Sequence, residues 1–173
     1  MYHVAMAEGA EDHIDRIVAQ WRQERPELDT EPMETLGRVF RAAQLADAAL
    51  AGQLAVHGLE SGWFDLLAAL RRAGRPYQLN PTALRDATML SSGGMTKRLD
   101  RMTEAGLIER RPDPADRRGT LVRLTRKGRA AVDKAIETHL AHEKRLLAGL
   151  SRNDRSALND LLRRLLGGLE QPG

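Results

Sequence analysis

Apolar residues recur along this chain three or four positions apart, the spacing of amphipathic helices, with one break where they alternate. Ile14, Ile17, Val18 and Trp21 predict a helix over 9–25 that stops before Pro26. Glu31-Pro32 opens a longer pattern, Pro32 suiting a first turn, with Leu36, Val39, Phe40, Ala43 and Leu50 along it and Gly58 at its end. A third helix, with Ser61 as its cap, carries Trp63, Phe64, Leu66, Leu67 and Leu70 and closes at Gly74. Asn80-Pro81 starts a short helix over 81–89, Asn capping and Pro taking the first position. A turn at Leu90-Ser91 leads to a helix over 92–105, closed by Gly106. Two short helices joined by a turn form helix-turn-helix geometry. The break follows: strands over 107–111 and 120–124 flank a polar loop over 112–119. Thr125 then caps a long helix with Val132, Ile136, Leu140 and Leu147 on one side. Ser151, with Asp154 three residues on, begins a last helix with Leu158, Leu161, Leu162, Leu165 and Leu166 as its stripe.

Helix, arginine-rich hairpin, helix is the order that a winged helix-turn-helix needs. The second helix offers side chains to the major groove, and the hairpin holds basic residues against the neighbouring backbone or minor groove. The expected fold is mainly α: a winged helix-turn-helix with a two-stranded β wing and long N- and C-terminal dimerisation helices. The expected division is 1–60 for the N-terminal helices, 61–125 for the DNA-binding domain and 126–173 for the C-terminal helices. The terminal helices exceed what a small winged helix must cover, so their apolar faces need a partner. A larger monomeric core is one solution. A two-fold homodimer is favoured, because it also presents two reading heads to two half-sites.

Composition sharpens this picture at several points. A net charge of +3 on 173 residues says little, but its distribution says more. Residues 80–129 hold 12 basic and 6 acidic residues, while the remainder holds 15 basic and 18 acidic. The positive charge therefore gathers around the expected reading head. Cysteine is absent, which excludes disulfides, thiol redox switching and Cys-based zinc sites. Aromatics are only 3%, so the core must be aliphatic. No basic segment followed by an apolar run opens the chain, and no apolar stretch is long enough to span a bilayer, so a cytoplasmic protein without membrane attachment is expected. Nothing resembles a nucleophile–base pair, a phosphate loop or paired carboxylates, so neither an enzyme nor a cofactor is expected.

The candidate DNA contacts lie at two places. Ser91, Ser92, Thr96, Lys97, Arg98 and Arg101 fall at the start of the second helix or one turn in, the end that meets base edges and phosphates. Hydroxyls suit phosphates; Lys and Arg suit phosphates or guanine edges. Gly93-Gly94 reads either as close backbone approach to DNA or as a frayed first turn. Arg117 and Arg118 form an arginine tip on the hairpin, suited to a narrow minor groove. Asp116 would be repelled by phosphate, so its expected role is to orient Arg118 by a charge-assisted bond. Thr82, beside Asn80-Pro81, reads as a phosphate contact or as part of the cap. His139, His142 and Glu143 share a helix face; a metal needs a further ligand, and a solvated or dimer-packed face is favoured. His57 reads as a helix end.

Asp116-Arg117-Arg118 followed by Leu124-Thr125 fits the D-x-R-x5-L-T wing signature of the MarR family of transcriptional regulators, and the preceding GLIERR resembles the strand that enters that wing. The resemblance covers residues 34–170. It implies a homodimeric winged-helix protein that usually represses and releases DNA when a small ligand binds or a thiol oxidises; without cysteine only the ligand route is open. A narrower resemblance points to the urate-responsive subgroup, whose pattern is a tryptophan on an extra N-terminal helix, an aspartate before the helix-turn-helix and two arginines. Trp21, Asp65 in WFDLLAALRR, Arg98 and Arg110 stand at those places. The resemblance implies a small organic anion, such as urate or, in relatives, aconitate or citrate. Trp21 reads equally as core, and Asp65 also as a partner of Arg72. Arg110 would supply the anion's counter-charge. Arg98 would either couple pocket to recognition helix or hold phosphate. The expectation is a dimeric regulator on a pseudo-palindromic operator, released by a small anion. The alternatives are a winged-helix adaptor without DNA and a ligand-independent architectural binder.

Overall fold

The computed structural model describes residues 11–60, 62–88, 94–116 and 118–171. The order of elements is α1 (His13–Glu24), α2 (Glu31–Ala55), α3 (Trp63–Arg72), β1 (Gln78–Leu79), α4 (Pro81–Asp86), α5 (Met95–Glu104), β2 (Ile108–Pro112), β3 (Thr120–Leu124), α6 (Arg126–Leu146) and α7 (Arg152–Leu169). Every helix and both wing strands read from periodicity are present, with ends shifted by a few residues. One element was not read. β1, two residues long, joins the hairpin as a third antiparallel strand in the order β1-β3-β2, with Gln78 opposite Arg123 and Leu79 opposite Val122. Two residues carry no alternation to detect; pairing with β3 is what makes them a strand.

The chain divides into two compact units, one of residues 1–48 and 143–173, the other of residues 49–142. In the second unit α3 is the centre. Phe64, Leu66, Leu67 and Leu70 pack against Leu84 of α4, Leu99 and Met102 of α5, Ile108 of β2, Val122 and Leu124 of β3, and Val132 and Ala135 of α6. This core is aliphatic, as the composition requires. A helix buried on nearly all sides belongs at the middle of a domain. Gly62 stands at the N-cap of α3, and Ser61, the expected cap, lies outside the described residues. α6 docks through Gly128, where an added Cβ would collide with the Leu107 carbonyl oxygen. The Thr125 hydroxyl, expected to cap α6, accepts the Gly128 N–H at 3.0 Å.

In the first unit α1 lies on α2. Ile14 and Val18 are its buried side, and Ile14 packs over Gly37, where an added Cβ would stand 3.0 Å from the Ile14 side chain. Asp12 caps α1 in a reciprocal capping box with Asp15, and both carboxylates also bind Arg38 of α2. The Asp15 backbone N–H, and after it the Arg38 guanidinium, hold the Asp12 carboxyl down at about 2. α7 carries the capping box expected from Ser151 and Asp154. Neither α2 nor α7 contains a buried residue, although both are rich in leucine and other apolar side chains. Among the described residues no helix is long and apolar enough to cross a membrane.

Candidate nucleic-acid interface

Asn80 builds the entry to the helix-turn-helix. Its side chain accepts the Ala83 N–H at 2.8 Å, and Pro81 fills the first helical position. The capping alternative for Thr82 is therefore taken by Asn80, and Thr82 stands exposed on the first turn of α4. α5 is described from Met95 rather than from residue 92, and Ser91 and Ser92 lie outside the described residues. Gly94 precedes it with φ of 78°, left-handed backbone that glycine adopts without strain. Nothing lies within 4 Å of a Cβ added there, so this glycine answers to backbone conformation at the helix start.

On α5 the sequence-predicted residues separate into two groups. Thr96 and Lys97 are exposed in the first turn. Arg98 and Arg101 turn back onto the protein. Arg101 pairs with Glu60, and its guanidinium carbon lies 5.9 Å from the Trp63 ring centre. With the Arg101 side chain half-exposed, such a cation–π contact is worth about 0.5–1 kcal/mol. Arg98 is half-buried, and its Nη1 is buried without a hydrogen-bond partner among the described residues. Glu60, Trp63, Gly94, Lys97, Arg98 and Arg101 together line a cleft of about 290 Å³.

The wing is a tight polar turn closing a regular hairpin, Ile108 opposite Leu124 at its base and Pro112 opposite Thr120 at its tip. Asp113 Oδ1 accepts the Ala115 N–H and Asp116 Oδ1 accepts the Arg118 N–H, both at 2.9 Å. Asp116 therefore orders the backbone of the turn, where the sequence suggested a bond to the Arg118 guanidinium; a short carboxylate reaches the N–H two residues on more readily than a long side chain's end. Arg118 is exposed, and Arg117 lies outside the described residues.

Arg110 is engaged as well. Its guanidinium meets Asp100 of α5 at 2.7 Å, tying the wing's first strand to the recognition helix. Sequence reasoning gave the coupling role to Arg98 and overlooked Asp100, since nothing in a linear pattern pairs a helix carboxylate with the strand after it. Asp65 is half-buried in the first turn of α3. Arg72, its suggested partner, donates to the Ala87 carbonyl at 2.9 Å. Trp21 is 43% exposed on α1, so it is not the core residue it equally suggested. His139 stacks on Phe64 with ring centres 4.7 Å apart, and His57 shares a 3.0 Å hydrogen bond with Thr138. Among the described residues no group of three or more His, Cys, Asp or Glu is placed to hold a metal.

A short helix entering on an asparagine cap, an exposed polar first turn on the next helix and an ordered turn bearing Arg118 lie where the sequence led us to expect a surface for duplex DNA. Comparison with known proteins agrees. The chain is 38% identical over 152 residues to the transcriptional regulator PecS of Dickeya dadantii, covering 88% of this chain and 92% of PecS. The MarR family model matches residues 57–119, the helix-turn-helix and its wing. The chain belongs to the MarR family. The multiple antibiotic resistance protein MarR of Salmonella typhimurium is 31% identical over 134 residues, 76% of this chain and 90% of that protein. Among solved structures, a cysteine-to-serine mutant of Escherichia coli MarR complexed with operator DNA superposes with a TM-score of 0.68 at 26% identity, over 84% of this chain and 97% of that one. This member of the MarR family is accordingly a DNA-binding transcriptional regulator, not an enzyme.

Proposed function

We propose that this MarR-family regulator acts as a homodimeric repressor on a pseudo-palindromic operator, with 61–125 as the reading head and 1–60 and 126–173 as the flanking dimerisation helices. The observation that carries the dimer is α7: eighteen residues with no buried side chain, Leu161, Leu166 and Leu169 being 59%, 52% and 69% exposed. A leucine stripe of that length is covered in solution, and a second copy supplies an equivalent stripe. Thr82, Thr96, Lys97 and Arg118 are the proposed contacts with DNA, with Ser91, Ser92 and Arg117 as further candidates and Asp116 ordering the wing. Arg98 and Arg101, turned onto the protein, are proposed to shape the surface beneath the helix. Footprinting on the DNA upstream of its own gene, with light scattering of the complex, tests this reading: two chains per site are expected. One chain per site, or no sequence preference, defeats it.

A small organic anion is the proposed effector, urate being the first to try. The buried Nη1 of Arg98, without a hydrogen-bond partner among the described residues, supports this, because a guanidinium nitrogen left so is stabilised by an arriving anion. Asp65, Arg110 and Trp21 are the residues to test. An anion beside Asp65 sets negative charge against negative charge, which is relieved when Asp65 moves or takes up a proton. By linkage, an anion that weakens DNA binding is itself bound less tightly by the DNA-bound form. Calorimetry with urate, xanthine, aconitate and citrate is the direct measurement. If none binds and none releases operator, the effector reading fails while the DNA reading stands.

A further inference from the structure

At the strand ends remote from the wing turn, the chain gathers arginines that neither DNA reading nor core packing uses. β1 and β3 pair with Gln78 opposite Arg123, while the wing turn lies at the far end, beyond the Pro112–Thr120 pair. A cavity of about 450 Å³ opens here, lined by Arg75 and Tyr77 of the segment before β1, Arg123 of β3, and Arg126 and Arg129 of α6. That volume lies within the range of small-molecule sites. Among the described residues no carboxylate lines it.

The charge on this wall is unbalanced. Arg71 takes Asp133 at 2.7 Å, leaving that carboxylate 3.9 Å from Arg129. Arg123 is 3.9 Å from Glu109, which Arg111 holds more closely at 2.8 Å. Arg75 and Arg126 have no carboxylate partner among the described residues. The guanidinium carbons of Arg71 and Arg129 lie 5.1 and 5.7 Å from the Tyr77 ring centre. A hydrogen bond with Arg75, helped by the charges of Arg71 and Arg129, holds the Tyr77 phenol below its ordinary value. Tyr77 itself has φ of 63°, where a non-glycine residue is uncommon, and such backbone strain gathers at ligand sites. The first turn of α6 adds Arg126, Lys127 and Arg129 with no acidic residue, where the helix dipole favours anions and disfavours cations. The unbalanced positive charge at this wall is unfavourable while the cavity is empty and becomes favourable once a polyanion occupies it.

We propose that this cavity binds a small phosphorylated solute carrying at least two negative charges, with Arg75 and Arg126 as its principal partners. Planar guanidinium forks match phosphate oxygens bidentately. The site adjoins the end of the recognition helix: the Thr125 hydroxyl donates to the Gly106 carbonyl at 2.7 Å, and Lys127 Nζ donates to the Ala105 carbonyl at 2.8 Å. It uses none of Trp21, Asp65 or Arg110 and is independent of the organic-anion reading.

The test is calorimetric titration of inorganic pyrophosphate into the DNA-free full chain at constant ionic strength, with sodium chloride titrated alongside. The proteins are the parent, Arg75→Gln, the Arg75→Gln/Arg126→Gln double variant, and Arg163→Gln as a control on α7. Arg75 and Arg126 are exposed, so the variants keep the core, and thermal melts check this. One site per chain is expected. It should be unchanged in Arg163→Gln, several-fold weaker in the single variant and at least tenfold weaker in the double. Heat no greater than the chloride control, or equal uptake by the double variant, overturns the proposal. A duplex-DNA shift distinguishes the source of phosphate: the double variant is expected to bind DNA as the parent does. Lost DNA affinity with unchanged pyrophosphate uptake makes the cluster a DNA-backbone contact and also overturns the proposal.

Discussion

Asp116 and Arg118 stand two residues apart in the wing and differ in kind. Arg118 is an exposed cation, and its proposed role is to read charge and groove shape, not base edges. Arg118→Ala is expected to weaken binding to most duplexes about tenfold, the worth of one charge-assisted contact, ~1.5 kcal/mol. Asp116 acts on the backbone, accepting the Arg118 N–H, so Asp116→Ala should cost less, by loosening the turn. Changes at Thr96 or Lys97, exposed on the first turn of α5, should alter base preference as well as affinity; a binding-site selection on each variant checks this. Asp12 sets a pH dependence. Its carboxyl lies at about 2 when α1 is docked, against an ordinary 3.8. A lowered carboxyl contributes stability that is complete above about pH 4 and is lost as pH falls toward 2. Trp21 fluorescence, followed in a Trp63→Phe chain, should show α1 loosening in that window, and Asp12→Ala should abolish the transition.

Elements in this chain are held by a few close approaches. α6 meets the segment after α5 where Gly128 passes the Leu107 carbonyl, and a backbone oxygen in the path of an added Cβ cannot swing aside as a side-chain end does. Gly128→Ala is therefore expected to destabilise the second unit by about 3 kcal/mol, the upper part of the usual overpacking range, measured by urea unfolding. The Arg110–Asp100 pair works differently. Its side chains are 40% and 48% exposed, so its stability contribution is small, under about 1 kcal/mol. Its effect is orientation, joining β2 to α5. Asp100→Asn should leave the melting temperature nearly unchanged while lowering DNA affinity several-fold. An equal loss of both would mean the pair acts on stability alone.

At the scale of the whole molecule, the two exposed leucine-bearing helices and the basic reading head make separate demands. If α7 is covered by a second copy, Leu161→Glu should convert dimer to monomer in light scattering while the winged helix keeps its circular dichroism. The dimer should bind duplex DNA with log affinity falling linearly in log salt, about −0.9 per phosphate contacted. Its two recognition helices should meet major grooves ~34–36 Å apart, so inserting half a helical turn between half-sites should abolish tight binding. Affinity indifferent to salt would falsify the electrostatic part of this picture.

Much of the molecule was legible in one dimension. Helical periodicity, the Asn80-Pro81 start, the Ser151–Asp154 box and the alternating strands around a polar loop all act over a few neighbouring residues, so sequence alone determined the helices and the wing. The tertiary structure decided what depends on residues far apart in the chain. β1 is a strand because Gln78 and Leu79 meet β3. Arg110 is tied down because Asp100 reaches it, Arg101 because Glu60 and Trp63 flank it. The arginine-lined cavity exists because a loop before β1, a strand and a helix start converge from positions 75, 123 and 126. Local propensity writes periodicity into neighbouring residues; charge balance and close approach arise only when distant segments share space, and no spacing along the chain records them.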